Sequence, residues 1–489
     1  MPFEPQCPKS PEDSVPPPMS WDTPFGDCVS LRDYGISQPP AEQCERKLTP
    51  LDLVMPRLYG TRWILCFPLE AGVERSLVFK NLRLGLARTI GSIPWIAGVI
   101  APETGAKSKV GRIQVVESDG VKFHLKDLCG ILPSYHELKK RNFPLSEFST
   151  KHIAPIGMVP EYPFAVMVAQ ANFIEGGLLL TIGLHHSVCD ATGFETIIRT
   201  WADNTAAAVS GSDSFSIYSP ALNDRMPLME GKPGAQLKDF PEYVLMPTPP
   251  KTAAIQESSV RHPDRSAMTT HVFYFSPESL GQLKSAAAAF STNDALIGLV
   301  WQHMTIARNP VSAPLELTHD KESRMLYAVN VRSRMRPQLP ANWLGNATIC
   351  GVTDYLKVTA LLNESGLSTA STMIRKSLNT ITADRIDSTI GLLNSRDDPY
   401  DFKFKYNGFL GPDIVSTSFA HLEIYKHDWG PCLGKIDAFR IPGEGTDGTV
   451  GVFPRLRDGG LEVLIGLEDG AMERLLRDAE FGKYAQLWA

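Results

Sequence analysis

The stretch Leu184-His185-His186-Ser187-Val188-Cys189-Asp190-Ala191-Thr192-Gly193 closes an apolar run and opens a helix-like segment. A histidine at the end of a strand can project its ring into a cleft while the sheet fixes its backbone. With an unperturbed pKa near ~6.5, such a residue suits a general base at neutral pH. His186 is the candidate base. The structural alternative is that both histidines pack at the strand end and that Asp190 only caps the helix that follows. A metal would find two ligands here, His186 and Asp190, and no third, whereas zinc usually takes three or four protein ligands, so no metal is expected. Residues one or three apart on an extended chain point to opposite faces, which does not help a nucleophile–base pair between His186 and Ser187 or Cys189. Cys189 is therefore read as packing, and His185 as packing on the face opposite His186. No Gly-x-Ser-x-Gly elbow and no Gly-rich phosphate loop before a helix is present. What remains is a base without a built-in nucleophile, whose simplest chemistry is to activate a substrate hydroxyl or amine.

The elements that must hold this stretch are legible from hydrophobic spacing. Residues 51–59 and 63–67 are apolar, and residues 74–90 place Leu77, Val78, Leu82, Leu84, Leu86 and Ile90 densely enough to predict an amphipathic helix. Residues 112–116 and 121–125 alternate like two strands around the turn Ser118-Asp119-Gly120; residues 164–170 and 178–186 are further strands. Residues 193–208 predict a helix with Phe194, Ile197, Ile198 and Trp201 on one face. Between about 206 and 270 the periodicity fades into Ser, Pro, Gly and charged residues, including Pro247-Thr248-Pro249-Pro250, as in a long crossover. Order returns with a strand at 271–275, helices at 277–289 and 293–307, and a strand at 325–331.

A chain of 489 residues exceeds one ordinary core, since single cores stop growing near ~250–300 residues. The expected division is a Pro-rich N-terminal segment (1–47), a first domain (48–210), a crossover (211–269) and a second domain (270–489). The two domains are similar α/β units with a cleft between them. The first 47 residues hold ten prolines and no uninterrupted apolar stretch of the kind a secretory leader needs, so a cytoplasmic location is expected. Charge excludes other classes: 48 Lys and Arg against 54 Asp and Glu leave a net charge of -6, without the basic footprint of a nucleic-acid binder. No apolar run is long enough for a bilayer, so no membrane partner is expected. The eight cysteines are dispersed, with no C-x-x-C pair, and free thiols are expected.

Four stretches, in one order, carry a family resemblance. His185-His186-x-x-x-Asp190-x-x-Gly193 resembles the H-x-x-x-D-G signature of the BAHD acyltransferases. Ser291-Thr292-Asn293-Asp294-Ala295-Leu296 with Trp301 is similar to that family's S-T-x-x-A-L helix. Asn330-Val331-Arg332-Ser333-Arg334-Met335-Arg336-Pro337-Gln338-Leu339-Pro340, continuing to Gly345-Asn346, is similar to its N-x-R-x-R-x-x-P-x-L-P…G-N run. Asp428-Trp429-Gly430-Pro431-Cys432-Leu433-Gly434-Lys435 resembles its D-F-G-W-G element, in the longer form of fungal trichothecene 3-O-acetyltransferase-like enzymes. Asp437 and Arg440 match that form; Cys432 and Ile436 depart from it.

The resemblance implies two pseudo-symmetric chloramphenicol-acetyltransferase-like α/β domains, with mixed sheets flanked by helices and a channel between them. It implies acyl transfer from acyl-coenzyme A, acetyl by the fungal likeness, to a small-molecule alcohol or amine, with His186 as general base and both substrates bound together. By the same resemblance Asp190 stands with His186 among the catalytic residues and pairs with Arg332; Gly193, Gly430 and Gly434 support the fold, and Ser291 and Thr292 meet the coenzyme A. Asp428 stays open between a second proton acceptor and a turn-maker. A monomer that binds no nucleic acid is expected. Two other readings stay open: a condensation-domain-like enzyme that uses carrier-bound substrates, and a non-catalytic binding protein on the same scaffold.

Overall fold

The computed structural model describes residues 28–36, 47–104, 111–118, 120–157, 163–212, 219–246, 267–310, 320–443 and 446–489. Most of the Pro-rich start, Asp119 of the expected turn and the Pro247–Pro250 stretch lie outside the described residues. Two mixed sheets organise the chain. The first runs Cys28–Val29, Val121–Asp127, Met167–Ile174, Gly177–Leu184, Thr61–Pro68, Ala438–Arg440; the second runs Thr348–Val352, Met325–Asn330, Ile414–Ser418, Thr449–Val452, Leu461–Glu468, Met268–Phe275, Gln486–Leu487. Strand Gly177–Leu184 is buried along its whole length, as a central strand covered on both faces must be. It pairs in antiparallel register with Thr61–Pro68 and Met167–Ile174.

The predicted helices form close to where the spacing places them: Arg75–Ser92, Ala191–Val209, Pro277–Ala286 and Thr292–Arg308. The first two cross closely because Gly85 has no side chain; a Cβ there would lie 2.8 Å from the Thr205 Cα. Residues 112–116 and 121–125 do become strands, Ile113–Val116 and Val121–Asp127, but they diverge after the turn. The former joins a small sheet with Val99–Pro102 and Phe164–Ala165, while the latter pairs in parallel with Met167–Ile174 in the first sheet. Two further helices, Gly366–Asn379 and Ala383–Asn394, arise where the spacing gives no expectation. The first is rich in Ser and Thr and docks against Thr292–Arg308 where Gly298 leaves room for Ser371. Part of the expected crossover is ordered as well: Tyr243–Leu245 pairs with Phe402–Phe404.

The two sheets are not separate along the chain. Ala438–Arg440 leaves the second half to become the outer strand of the first sheet, with Phe439 opposite Leu65. Its Arg440, fully buried, donates through Nη1 and Nη2 to the two carboxylate oxygens of Glu462 at 2.8 Å each, and Glu462 belongs to the second sheet. The guanidinium also reaches the carbonyls of Phe143 and Asn142 in the first half. Trp63 sits at the junction, 4.3 Å from the Phe194 ring and 5.3 Å from that of Phe439, centroid to centroid. Burying such a side chain contributes about 2–3 kcal/mol.

Removing one partner of a buried pair leaves the other charge without water or a counter-ion, at about 3–5 kcal/mol. Glu462→Ala is therefore expected to lower the stability of the whole chain by about that amount. Chemical denaturation monitored by tryptophan fluorescence measures it, and a loss below ~1 kcal/mol would contradict the burial of Arg440.

Candidate active site

The histidine loop begins where strand Gly177–Leu184 ends. The His185 N–H donates to the Val166 carbonyl at 3.0 Å and the His186 N–H to the Leu58 carbonyl at 2.9 Å, so the loop is held by backbone from two neighbouring segments. The two rings then have opposite surroundings. His185 is fully buried, stacked on Phe164 at 5.4 Å and edge-on to Tyr59 at 5.5 Å. Its Nδ1 accepts from the Ser187 N–H at 3.3 Å, and burial together with the charges of His186 and Arg57 lowers its pKa to about 3. It stays neutral at any working pH and serves packing.

His186 is only partly buried. Its Nδ1 faces inward, whereas Nε2 is not among the buried ring nitrogens. Burial lowers the pKa of the ring below the usual 6.5, an effect opposed by its own carbonyl, by the Asp190 charge and by Asn346. The neutral, proton-accepting form is thus the one populated at neutral pH. Gly60 lies against this ring: a Cβ there would stand 3.2 Å from His186 Cδ2 and 2.9 Å from Leu58 Cδ1.

The Asp190 carboxylate spends its hydrogen bonds on groups other than the imidazole. It is the N-cap of helix Ala191–Val209, accepting from the Gly193 N–H at 3.0 Å. Its carboxylate takes Arg332 in a two-pronged pair, Nη1 to Oδ2 at 2.8 Å and Nη2 to Oδ1 at 2.9 Å. The Ala347 N–H and the Thr348 hydroxyl donate to Oδ2 as well. Burial alone would raise the carboxyl pKa, but Arg332 and these donors outweigh it and hold it below 3.8. Arg332 spends its remaining protons on the carbonyls of Trp343 and Gly345 and on Asn330. The pair joins the histidine loop of the first half to the Gly345 loop of the second. Gly193 explains why both loops fit: a Cβ there would meet Cys189 Sγ at 2.3 Å and Gly345 N at 3.3 Å.

Cys189 is enclosed, its thiol donating to the Gly345 carbonyl at 3.8 Å, and burial pushes its pKa well above the usual thiol range. It has none of the thiolate character that a nucleophile needs. Ser291 is the N-cap of helix Thr292–Arg308: its hydroxyl accepts from the Asp294 N–H and from Arg375, and Thr292 opens the helix.

Of the two readings left open for Asp428, its place in the fold supports the turn-maker. Its Oδ1 accepts from the Gly430 N–H at 3.0 Å, closing a turn. A Cβ on Gly430, whose φ is +88°, would stand 3.0 Å from the Ala206 Cα, near the far end of helix Ala191–Val209. At about 1.5 Å per residue that is ~20 Å from the helix start beside the histidine loop. Gly430 and Gly434, both at positive φ, shape the turn, and Trp429 packs against Phe67 and Trp201.

Two residues that sequence reasoning missed complete the site. Asp52 is fully buried and accepts from Thr49, from Arg225 Nη1 at 2.5 Å and from both nitrogens of Asn346. Arg225 Nη2 donates to the Val188 carbonyl inside the histidine loop at 3.1 Å. Thr49-x-x-Asp52 with Pro50 signals a capped helix start in the sequence, but nothing there signals the second task of Asp52. Among the described residues no group of three or more His, Cys, Asp or Glu could hold a metal. No described helix is long and apolar enough to cross a membrane.

Asp190→Ala would strand Arg332 in the interior, and a stability loss of about 3–5 kcal/mol together with reduced turnover is expected. Because pairing lowers the carboxyl pKa, this contribution is complete above pH 3.8 and disappears only as pH falls through the still lower folded value. Denaturation midpoints measured beside rates decide the matter: native stability with lost turnover would show that the carboxylate acts on substrate instead.

The chain is similar to known proteins over most of its length. The acyltransferase easC of Emericella nidulans is 28% identical over 467 residues, covering 90% of this chain and 95% of that protein. The trichothecene 3-O-acetyltransferase TRI101 of Fusarium sporotrichioides is 28% identical over 451 residues, covering 87% and 93%. The crystal structure of that organism's TRI101 complexed with coenzyme A and T-2 superposes with a TM-score of 0.76 at 24% identity, over 91% of this chain and 100% of the other, a likeness of fold. The family model described as the Transferase family matches residues 37–482, nearly the whole chain. With two mixed sheets joined at a histidine loop and a match of that length, the chain belongs to the Transferase family, the BAHD acyltransferases, and is an acyl-transferring enzyme.

Proposed function

We propose that the chain transfers an acetyl group from acetyl-coenzyme A to a hydroxyl of a small-molecule secondary metabolite, with His186 as general base and both substrates bound at once. The observation that carries this reading is the contrast between the rings and the thiol. His186 alone keeps a ring edge out of the core, while His185 and Cys189 are enclosed and, like Ser187, fully buried. In the proposed step the acceptor oxygen attacks the thioester carbonyl as its proton passes to His186 Nε2. The C–S bond then breaks, and the proton leaves with the thiolate, whose conjugate acid near ~8.5 is a fair match for an imidazole donor. Holding both substrates in one orientation supplies much of the acceleration, and no acyl-enzyme is needed.

Donor and acceptor are proposed to approach His186 along the seam between the halves. Ser291 and Thr292 stand as the proposed donor contacts, at the start of a helix whose cap Arg375 reinforces. The named activities of the fungal relatives support both the acyl donor and the kind of acceptor. A monomer is proposed as the working unit.

His186→Ala is expected to lower turnover by ~10²–10⁴ while the melting temperature stays near native, and His185→Gln to be milder in rate. Equal effects of the two substitutions would overturn the assignment. Since burial lowers the His186 pKa, turnover is expected to hold down to pH 6.5 and to fall on an acid limb below it. Initial rates against donor and acceptor should give intersecting lines, and Cys189→Ala should keep most activity. A ping-pong pattern, or an acylated Cys189 trapped with donor alone, would mean a covalent route.

A further inference from the structure

The segment that enters strand Thr61–Pro68 passes beside both histidines and treats them in opposite ways. Tyr59, fully buried, sets its ring edge-on to His185 at 5.5 Å, and its hydroxyl donates to the Ala165 carbonyl. The next residue, Gly60, is exposed and leaves the edge of the His186 ring bare. The φ of Gly60 lies outside the left-handed region, so its backbone conformation does not require glycine. The space around it does. An added Cβ would stand 3.2 Å from His186 Cδ2, the carbon bonded to Nε2, and 2.9 Å from Leu58 Cδ1. The segment cannot swing aside, because the Leu58 carbonyl accepts the His186 N–H at 2.9 Å and Thr61 pairs with Leu184. Gly60 is held between these two anchors, and the clearance beside the ring is fixed with it.

We propose that Gly60 is a specificity-determining residue for the acceptor: the clearance it leaves beside Nε2 admits a hydroxyl carried on a secondary carbon, as in a saturated ring. The proposal rests on the reading of His186 as the base. An acceptor hydroxyl that gives its proton to Nε2 must come within about 2.6–3.2 Å of it. The carbon bearing that hydroxyl is one bond further away, so its substituents reach back over the two ring carbons that flank Nε2. One of these is Cδ2, where the Cβ of any other residue at position 60 would stand. A primary carbon carries one chain and can turn it away from Cδ2. A secondary carbon carries two, and one of them must lie over that edge. The acyl donor makes no such demand, since its thioester ends a thin, unbranched arm. Leu58 Cδ1 is the free end of a flexible side chain and can yield to an added methyl, whereas the His186 ring takes the remaining pressure, so Gly60→Ala changes the shape of the site and not the fold.

The test compares cyclohexanol with cyclohexylmethanol, whose hydroxyls sit on the ring carbon and one methylene away from it, with acetyl-coenzyme A as donor and thiol release as the readout. The native enzyme should acetylate both. Gly60→Ala should lower kcat/KM for cyclohexanol by about 10–200-fold, the usual effect of one misplaced methyl in a tight pocket, and for cyclohexylmethanol by only about 3-fold, with the KM for acetyl-coenzyme A unchanged. Equal losses for the two alcohols, or no loss for either, overturn the proposal. So does a native enzyme that fails to acetylate cyclohexanol, a result that needs no variant to fold. His186→Ala, run beside these, keeps the two ideas apart: if it retained turnover of both alcohols the base assignment would fail, whereas failure of the Gly60 assignment removes only the difference between the alcohols.

Discussion

A carboxylate taken out of water must find all its partners inside the protein, and at Asp190 that requirement organises the centre of the molecule. Arg332 and the donors of Gly193, Ala347 and Thr348 use up its acceptor sites, and they come from both halves of the chain. A second enclosed pair, Asp52 with Arg225, also reaches the histidine loop, where Arg225 donates to the Val188 carbonyl. Such pairs add little net stability, because desolvation offsets most of their attraction, yet breaking one is costly. Their effect is to permit a single arrangement. The loop that carries His186 cannot shift without uncovering one charge or the other.

This division of labour separates two properties that a short motif runs together. The aspartate four residues beyond the histidine fixes where the loop stands relative to the second half, whereas the protonation of the ring is governed first by burial, which the Asp190 charge opposes as one effect among several. Glycines mark the places where backbone must come close. Gly193 admits the Gly345 loop and Gly60 leaves the face of the His186 ring uncrowded. Side chains at either position would change the shape of the site before they changed its charge.

What could be read in advance follows the range of each interaction. Helix Ala191–Val209 was legible because Phe194, Ile197, Ile198 and Trp201 recur at its own period, and the strands around it because their apolar runs are continuous. The Asp190–Arg332 pair came from family resemblance and not from spacing. The strands at 112–116 and 121–125 were legible as strands, but their partners were not, since pairing is decided by distant segments. Asp52 and Arg225 are 173 residues apart, and Arg225 sits in a stretch without periodicity, so no local pattern could join them. Asp428 stayed open because a carboxylate beside glycines fits both a turn and a proton acceptor; the packing of Gly430 on Ala206, a contact between distant segments, supports the turn.

The strand Ala438–Arg440 carries a consequence for the order in which the protein comes into being. Until the ribosome has passed residue 440, the first sheet lacks its outer strand, and Thr61–Pro68 presents a row of unpaired backbone groups. The first half is then a nascent body with an open, strongly apolar margin, the condition under which strands of different chains join by mistake. Nearly four hundred residues of synthesis separate that margin from the segment that covers it, an interval in which a chaperone, or the later half of the same chain, must shield it.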